Sequence, residues 1–297
     1  MMINDILTLS IASLRFVIDT RGSDLQVTAP PVFNQFLVGY DLRETGQFAV
    51  PGEMLLEVRH EEKILDRVFS KPICRTKLWE LWLDGNDDFV FVSPRQSPPK
   101  LVYVDKDFQK GVIAFDFSSI KGKAIYPLAS IDIRIAVNWL ANYGDLVLHA
   151  AGAAVDGEGY CFIGPSGAGK STLAADLIKQ GEVTLLGEDQ VVLRRIAGKF
   201  WIFGTPWHEY EDRCSPVGVP LKKVFFLDRR RSPGISLCPP ADGVTQILQT
   251  AFVPYYLPEK IPVIIDQLSL LSEQVPFYRL SHEQGTLVLP KIVKQVM

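Results

Sequence analysis

The run Gly164-Pro165-Ser166-Gly167-Ala168-Gly169-Lys170-Ser171 fits G-x-x-x-x-G-K-[ST], the pattern of a phosphate-binding loop. Each fixed position has a physical reason. Glycines let the backbone turn with its N–H groups inward, making a nest for phosphate oxygens. A helix that starts at the loop adds roughly half a positive charge at its N-terminus. Lys170 brings a full charge toward β- and γ-phosphates, and the Ser171 hydroxyl suits Mg²⁺. Together these residues predict binding of a magnesium nucleotide, ATP.

The flanks support the loop. Residues 160–163 form an apolar β run directly before it, and 172–180 read as a helix, with Leu173, Leu177 and Ile178 on one side and Gly181 as its end. A helix over 171–180 is about 15 Å long. The next apolar run, 183–187, makes a strand of about 16 Å. A right-handed crossover would return that strand alongside the first. Its carboxyl end carries Glu188 and Asp189, beside the loop. One carboxylate there can hold Mg²⁺, and the other can accept a proton from a nucleophilic hydroxyl. Asp228, ending the run VFFL (224–227), is a rival acidic position, read as structural. The arginines 229–231 after it read as a solvated loop. His149 ends the apolar run 146–148, and a lone histidine beside apolar residues is more often structural.

The rest of the chain bounds these readings. At roughly 150 residues per domain, 297 residues make about two domains. Lys and Arg number 31 and Asp and Glu 34, a net charge of −3, so no broad basic field marks a nucleic-acid binder. With 47% apolar residues the chain can bury a core. Cys74, Cys161, Cys214 and Cys238 form no C-x-x-C pair, and the four histidines add no close ligand pairs. Reduced thiols, no secretory signal and no long apolar run predict a cytoplasmic protein without a membrane anchor.

Two segments of different grammar emerge. Residues 1–125 read as β-rich, with strands expected at 14–19, 32–38, 89–92, 101–104 and 111–117. The acidic cluster 84–88 reads as a solvated turn. From 126 to 297 the pattern turns α/β, with α+β character. A helix is expected over 128–143, from Leu128, Ile131, Ile135 and Leu140, with Gly144 as its C-cap. Pro254, Pro258, Pro262 and Pro276 punctuate a C-terminal stretch of helix and loop.

LHAAG (148–152), GPSGAGKST (164–172, ending at Thr172) and GEDQVVL (187–193) resemble the catalytic domain of HPr kinase/phosphorylase. They resemble more closely the HPr-kinase-related proteins that share its phosphoenolpyruvate-carboxykinase-like P-loop core. Gly204-Thr205-Pro206-Trp207 before VFFL is similar to that group too. The resemblance spans about residues 128–290 and implies a P-loop kinase core behind a smaller β-rich domain. It implies that residues 164–171 hold nucleotide phosphates, with Ser171 on Mg²⁺. It places His149 near a catalytic carboxylate and matches Glu188-Asp189 to the general base, with Asp189 favoured. It sets Glu209 as a metal ligand. The acceptor it implies is a serine hydroxyl of a protein or peptide, and the assembly an oligomer. The family's Glu-Ile-Arg-Gly-x-Gly run has no counterpart, so neither HPr nor the reverse phosphorylase reaction is assigned.

Two other uses fit the loop. One is a non-catalytic nucleotide-binding module. The other is an ATPase subunit, against which stands the lack of an LSGGQ-like run. No N-K-x-D run marks a GTPase.

Overall fold

The computed structural model describes residues 5–23, 25–38, 52–67, 69, 71–120, 122–179, 182–208, 210–228 and 234–281. The fold is mixed α/β, with two sheets and few helices. Two compact units divide it, residues 1–136 and 137–297.

The first unit carries strands β1 (Ile6–Ile11), β2 (Leu14–Asp19), β3 (Glu53–His60), β4 (Lys71–Arg75), β5 (Glu80–Leu83), β6 (Phe89–Ser93), β7 (Lys100–Val104) and β8 (Lys110–Phe115). They form one eight-stranded sheet in the order β1-β2-β3-β8-β7-β6-β5-β4. β3 runs parallel to both neighbours, and β4 through β8 form an antiparallel meander. Strands expected at 14–19, 89–92, 101–104 and 111–117 match β2, β6, β7 and β8. The stretch expected as a strand at 32–38 is instead a 3-10 helix, Pro31–Phe36. Pro31 fixes φ near the helical value and removes the N–H a strand would pair. It still buries Val32, Phe33 and Phe36, which explains its strand-like apolar content. In the acidic turn, the Asp84 carboxylate accepts the N–H groups of Asn86 and Asp88.

Helix α1 (Asp132–Ala141) follows. It is shorter than its apolar pattern, because Leu128 and Ile131 are buried from the turn before it. Gly144 ends it: Gly144 and Asp145 return N–H bonds to Ala141 and Leu140 at 3.2 and 3.1 Å.

The second unit contains β9 (Leu146–Leu148), β10 (Ala150–Val155), β11 (Glu158–Ile163), α2 (Lys170–Ile178), β12 (Thr184–Gly187), β13 (Val191–Ile196), β14 (Lys199–Gly204), β15 (Gly218–Leu227), β16 (Gly234–Leu237), α3 (Pro240–Thr250), α4 (Ile261–Gln274) and β17 (Phe277–Ser281). The strand path is β12-β10-β11-β15-β14-β13-β9, and β17 pairs with both β15 and β16. β15 is the long strand that joins both parts. Its first residues pair with β14, and its last four pair with β17.

Side chains alternate across β10, β11 and β15 as the pleat requires. Ala151, Ala153, Tyr160, Phe162, Phe225 and Leu227 face one core with Leu173 and Leu177 of α2. Cys161, Ile163, Val224 and Phe226 face the other, with Ile247 of α3, Ile264 and Leu268 of α4, and Val191 and Ile202 of β13 and β14. Both faces are covered, which is why 160–163 read as an unbroken apolar run. A buried ion pair pins the β9 side: Arg194 Nε donates to Asp145 Oδ2 at 2.8 Å, and both side chains are 3% exposed. Asp145 Oδ1 also accepts the Arg195 N–H.

One expectation about strand order is overturned. β12 does not lie alongside β11. It pairs antiparallel with β10, which sits between them. β10 and β11 form a tight hairpin, with Asp156 and Gly157 at φ 51° and 77° in the turn, and the hairpin takes the position beside β11. Among the described residues no helix is long and apolar enough to cross a membrane.

Candidate phosphate and carboxylate site

Registers of the second sheet bring several segments to one edge. Ile163 of β11 faces Ala150 of β10 on one side and Phe226 of the parallel β15 on the other. Gly187 of β12 faces Gly152. The loop after β11, His149 before β10, the turn after β12 and Asp228 after β15 therefore share that edge. Crevices outside the carboxyl ends of strands are where ligands bind in open α/β sheets.

The loop 164–169 leads directly into α2. Gly169 precedes the helix at φ 103°, a value that L side chains rarely adopt. Gly164 is needed for space: a Cβ there would lie 2.7 Å from the Ala168 Cβ and 3.2 Å from the Leu227 Cβ. Ala168 N–H closes a turn onto the Pro165 carbonyl at 3.0 Å. Lys170 folds back over the loop, and its Nζ donates to the Gly164 carbonyl at 2.8 Å and the Pro165 carbonyl at 3.4 Å. It is 7% exposed. Burial pushes its pKa down, and the Asp189 carboxylate opposes that shift. Ser171, the second residue of α2, is exposed, and Thr172 is half-buried.

The turn after β12 carries the two carboxylates. Asp189 Oδ1 lies 2.8 Å from His149 Nδ1, and both side chains are close to half exposed. Glu188 faces elsewhere: Arg213 Nη1 donates to its Oε2 at 3.3 Å. Burial raises the Glu188 pKa, Arg213 lowers it, and the neighbouring Asp189 charge raises it again. The adjacent pair is thus split. Glu188 is largely enclosed with a guanidinium, and Asp189 is about half exposed with an imidazole.

Residues 205–208 and 213–215 brace this turn, a role that their residue types alone do not announce. Thr205 Oγ1 donates to the Gln190 carbonyl at 2.8 Å, and His208 Nε2 lies 3.1 Å from the same oxygen. A carbonyl only accepts, so the proton sits on Nε2. Nδ1 is enclosed, as are Gln190 Oε1 and Trp207 Nε1, without hydrogen-bond partners among the described residues. Burial takes the His208 pKa down to about 4, against opposing effects of the Asp189 charge and the Gln190 carbonyl. A bridge between Gly187 and Cys214 and a bond from Ser215 N–H to the Leu186 carbonyl complete the brace. The one signal of it legible in the sequence is Gly204-Thr205-Pro206-Trp207, whose residue types name no contact.

Glu209 lies outside the described residues, as do the arginines 229–231. Asp228 is held through its N–H at the Leu280 carbonyl. Arg279 is bound to Asp242 at 2.5 Å. Among the described residues no group of three or more His, Cys, Asp and Glu side chains converges as a metal site. The donors present, the Ser171 hydroxyl and the Asp189 carboxylate, suit Mg²⁺, which keeps several waters and takes one or two protein oxygens beside substrate phosphates.

No protein-family model matches the chain. No curated protein matches it either. Among solved structures, the chain is similar to the Hpr(Ser) kinase/phosphatase from Coxiella burnetii, over 50% of this chain and 95% of that one, at 14% identity and a TM-score of 0.31.

Proposed function

We propose that this chain is a magnesium- and ATP-dependent kinase that transfers the γ-phosphoryl group to a hydroxyl, a serine of a protein or peptide. The observation that carries this reading is the Asp189–His149 contact of 2.8 Å at the same sheet edge as the loop 164–171. A loop and lysine alone would serve any nucleotide binder. A solvent-open carboxylate beside them, oriented by an imidazole, adds a proton acceptor.

The loop fits phosphates. Its crowding at Gly164 leaves room for backbone but not for a side chain, and Lys170 is an enclosed cation bonded to two carbonyls. Phosphate oxygens would replace those weak acceptors with charged ones, at roughly twice the strength per bond. Residues 164–171 then hold the phosphates, and Lys170 neutralises charge that builds on the transferring group. Asp189 accepts the proton of the acceptor hydroxyl. That oxygen bonds to the γ-phosphorus while the bond to the bridging oxygen breaks and ADP leaves. His149 donates Nδ1–H to Asp189 and fixes its direction. Glu188, paired with Arg213, keeps the turn in place. Magnesium, when bound at the Ser171 hydroxyl, would supply positive charge to the phosphates.

The test is incubation of the protein with γ-labelled ATP, Mg²⁺ and a library of serine peptides. Lys170-dependent label on peptide supports the kinase. Tight ATP binding without transfer would favour a regulatory module, and release of phosphate to water an ATPase.

A further inference from the structure

The sheet of the first unit has a notch. β2 and β8 both run parallel to β3, and they stop at different heights. The β2 ladder ends at the pair Asp19–Glu57, while the β8 ladder runs on to His60–Phe115. β2 stops because its chain turns on itself. The Arg21 N–H bonds to the Asp19 carboxylate at 3.0 Å, Gly22 takes φ 80°, and the Ser23 N–H closes onto the Thr20 carbonyl. Past Glu57, β3 therefore has a ladder partner on its β8 side alone among the described residues.

The backbone of β3 decides what the bare side offers. Successive residues of a strand turn their N–H and C=O groups to opposite neighbours. Leu55 and Glu61 donate to the Gln109 and Phe115 carbonyls, on the β8 side. The even-numbered residues Val58 and His60 therefore turn theirs to the side that β2 has left. The Val58 carbonyl stands where the Arg21 N–H would have bonded had β2 continued. That carbonyl and the His60 N–H have no hydrogen-bond partner among the described residues.

A cavity of about 620 Å³ fills the notch. Because it interrupts a sheet, side chains from both faces wall it, with the Val58 backbone between them. On one face the Glu57 carboxylate accepts from Arg59 Nη2 at 2.6 Å, and both side chains are more than half exposed. Such an exposed pair contributes little, so the guanidinium is available to another carboxylate. On the other face His60 Nδ1 accepts the Phe117 N–H at 3.1 Å, and the two rings lie 5.1 Å apart. That contact fixes an aromatic wall.

An unpaired carbonyl and N–H at a strand edge take an extended peptide, which adds main-chain bonds and turns its side chains alternately to the two faces. Here the faces differ, so the guest is constrained at two adjacent positions.

We propose that this notch binds an extended peptide segment in the place β2 vacates, with an acidic residue on Arg59 and an adjacent aromatic residue on His60 and Phe117. On the kinase reading above, the notch selects a segment of the substrate peptide other than its serine; peptide binding itself needs no nucleotide.

Two measurements test it. The probe is a fluorescein-labelled peptide with blocked ends and the core Thr-Glu-Phe-Thr, titrated without ATP and followed by anisotropy. Saturable binding is expected, at least tenfold weaker in Arg59→Glu and restored in that variant when Lys replaces Glu in the peptide. No saturable binding to the wild type would overturn the site. So would equal affinities of both proteins for the Glu peptide. Peptide binding that persists in a protein unable to transfer phosphate would sink the kinase reading and leave the notch standing. The second measurement needs no variant: hydrogen exchange of the wild type with and without the peptide. Slower exchange of the His60 amide supports strand addition. Protection confined to residues 137–297 overturns it.

Discussion

Nδ1 of His149 lies 2.8 Å from Oδ1 of Asp189, although the two residues stand at the ends of different strands, β10 and β12. The β10–β12 register is what joins them. Proton acceptance by Asp189 then predicts a specific variant. Asp189→Asn keeps nearly the same shape and removes the base, so ATP affinity should change little while transfer falls by about 10²–10⁴-fold. Isothermal titration and a single-turnover assay check the two halves. Wild-type transfer by the variant would move the base to Glu188 or remove it from the mechanism.

Lys170 is the only part of the loop that carries formal charge. Lys170→Ala should weaken ATP binding about ten- to hundredfold, from the loss of a charged contact worth about 1.5–3 kcal/mol. It should also abolish transfer. Fluorescence titration with a labelled ATP analogue measures the first effect. An unchanged dissociation constant would place the phosphates elsewhere.

Gly164→Ala tests the loop without touching a charge. Its new Cβ would press on Ala168 and Leu227 at 2.7 and 3.2 Å, so the loop must shift. Binding of tripolyphosphate should drop, while the melting temperature of the unit moves only slightly. A variant that binds as well as the wild type would show that the loop tolerates a side chain and is not a close phosphate nest.

The enclosed imidazole of His208 gives a pH dependence of stability. Its pKa is about 4 in the fold against an ordinary 6.5, so the fold binds the proton less readily than the unfolded chain. The stability it contributes is present above pH 6.5 and is lost as pH falls from 6.5 toward 4, by at most about 3 kcal/mol. Urea unfolding of the wild type and His208→Gln at pH 7 and pH 4.5 measures this. The variant should lose less stability than the wild type between the two pH values. Identical losses would show that His208 does not carry the effect.

Asp145 and Arg194 form a pair with almost no water access. Asp145→Ala leaves the guanidinium enclosed without its carboxylate and also frees the Arg195 N–H. Destabilisation of about 3–5 kcal/mol is expected. The double substitution Asp145→Leu with Arg194→Met should recover much of it, since no charge is then stranded. Chemical denaturation of the three variants distinguishes a stranded charge from a packing defect.

What the sequence displayed depended on the range of the contacts. The loop 164–171 and helix α2 are local, and glycine positions and helical spacing report them directly. The edge position of Glu188 and Asp189 was also visible, from two segment lengths. The neighbour of β12 was not, because a hairpin and a crossover compete for the place beside β11 and only packing decides. The β1–β2 hairpin was hidden for another reason. Its turn uses Ala12 and Ser13 at φ 51° and 63°, where glycine or asparagine is the usual signal. The bracing contacts of Thr205, His208 and Arg213 were not legible, because these residues act on a turn that lies between 15 and 25 residues away in sequence.

β15 separates making the chemistry from making the protein soluble. Every side chain proposed to act in transfer, and the whole brace around the carboxylates, precedes Gly218. Yet β11 and β14 each present one side to β15. During synthesis the reactive segment leaves the ribosome before the strand that covers those two sides, so a chain halted at that point would carry the reactive groups on two open strand edges. Such edges template pairing with other chains. Substitutions on β15 should therefore reduce yield through aggregation more than they reduce the turnover of the molecules that fold.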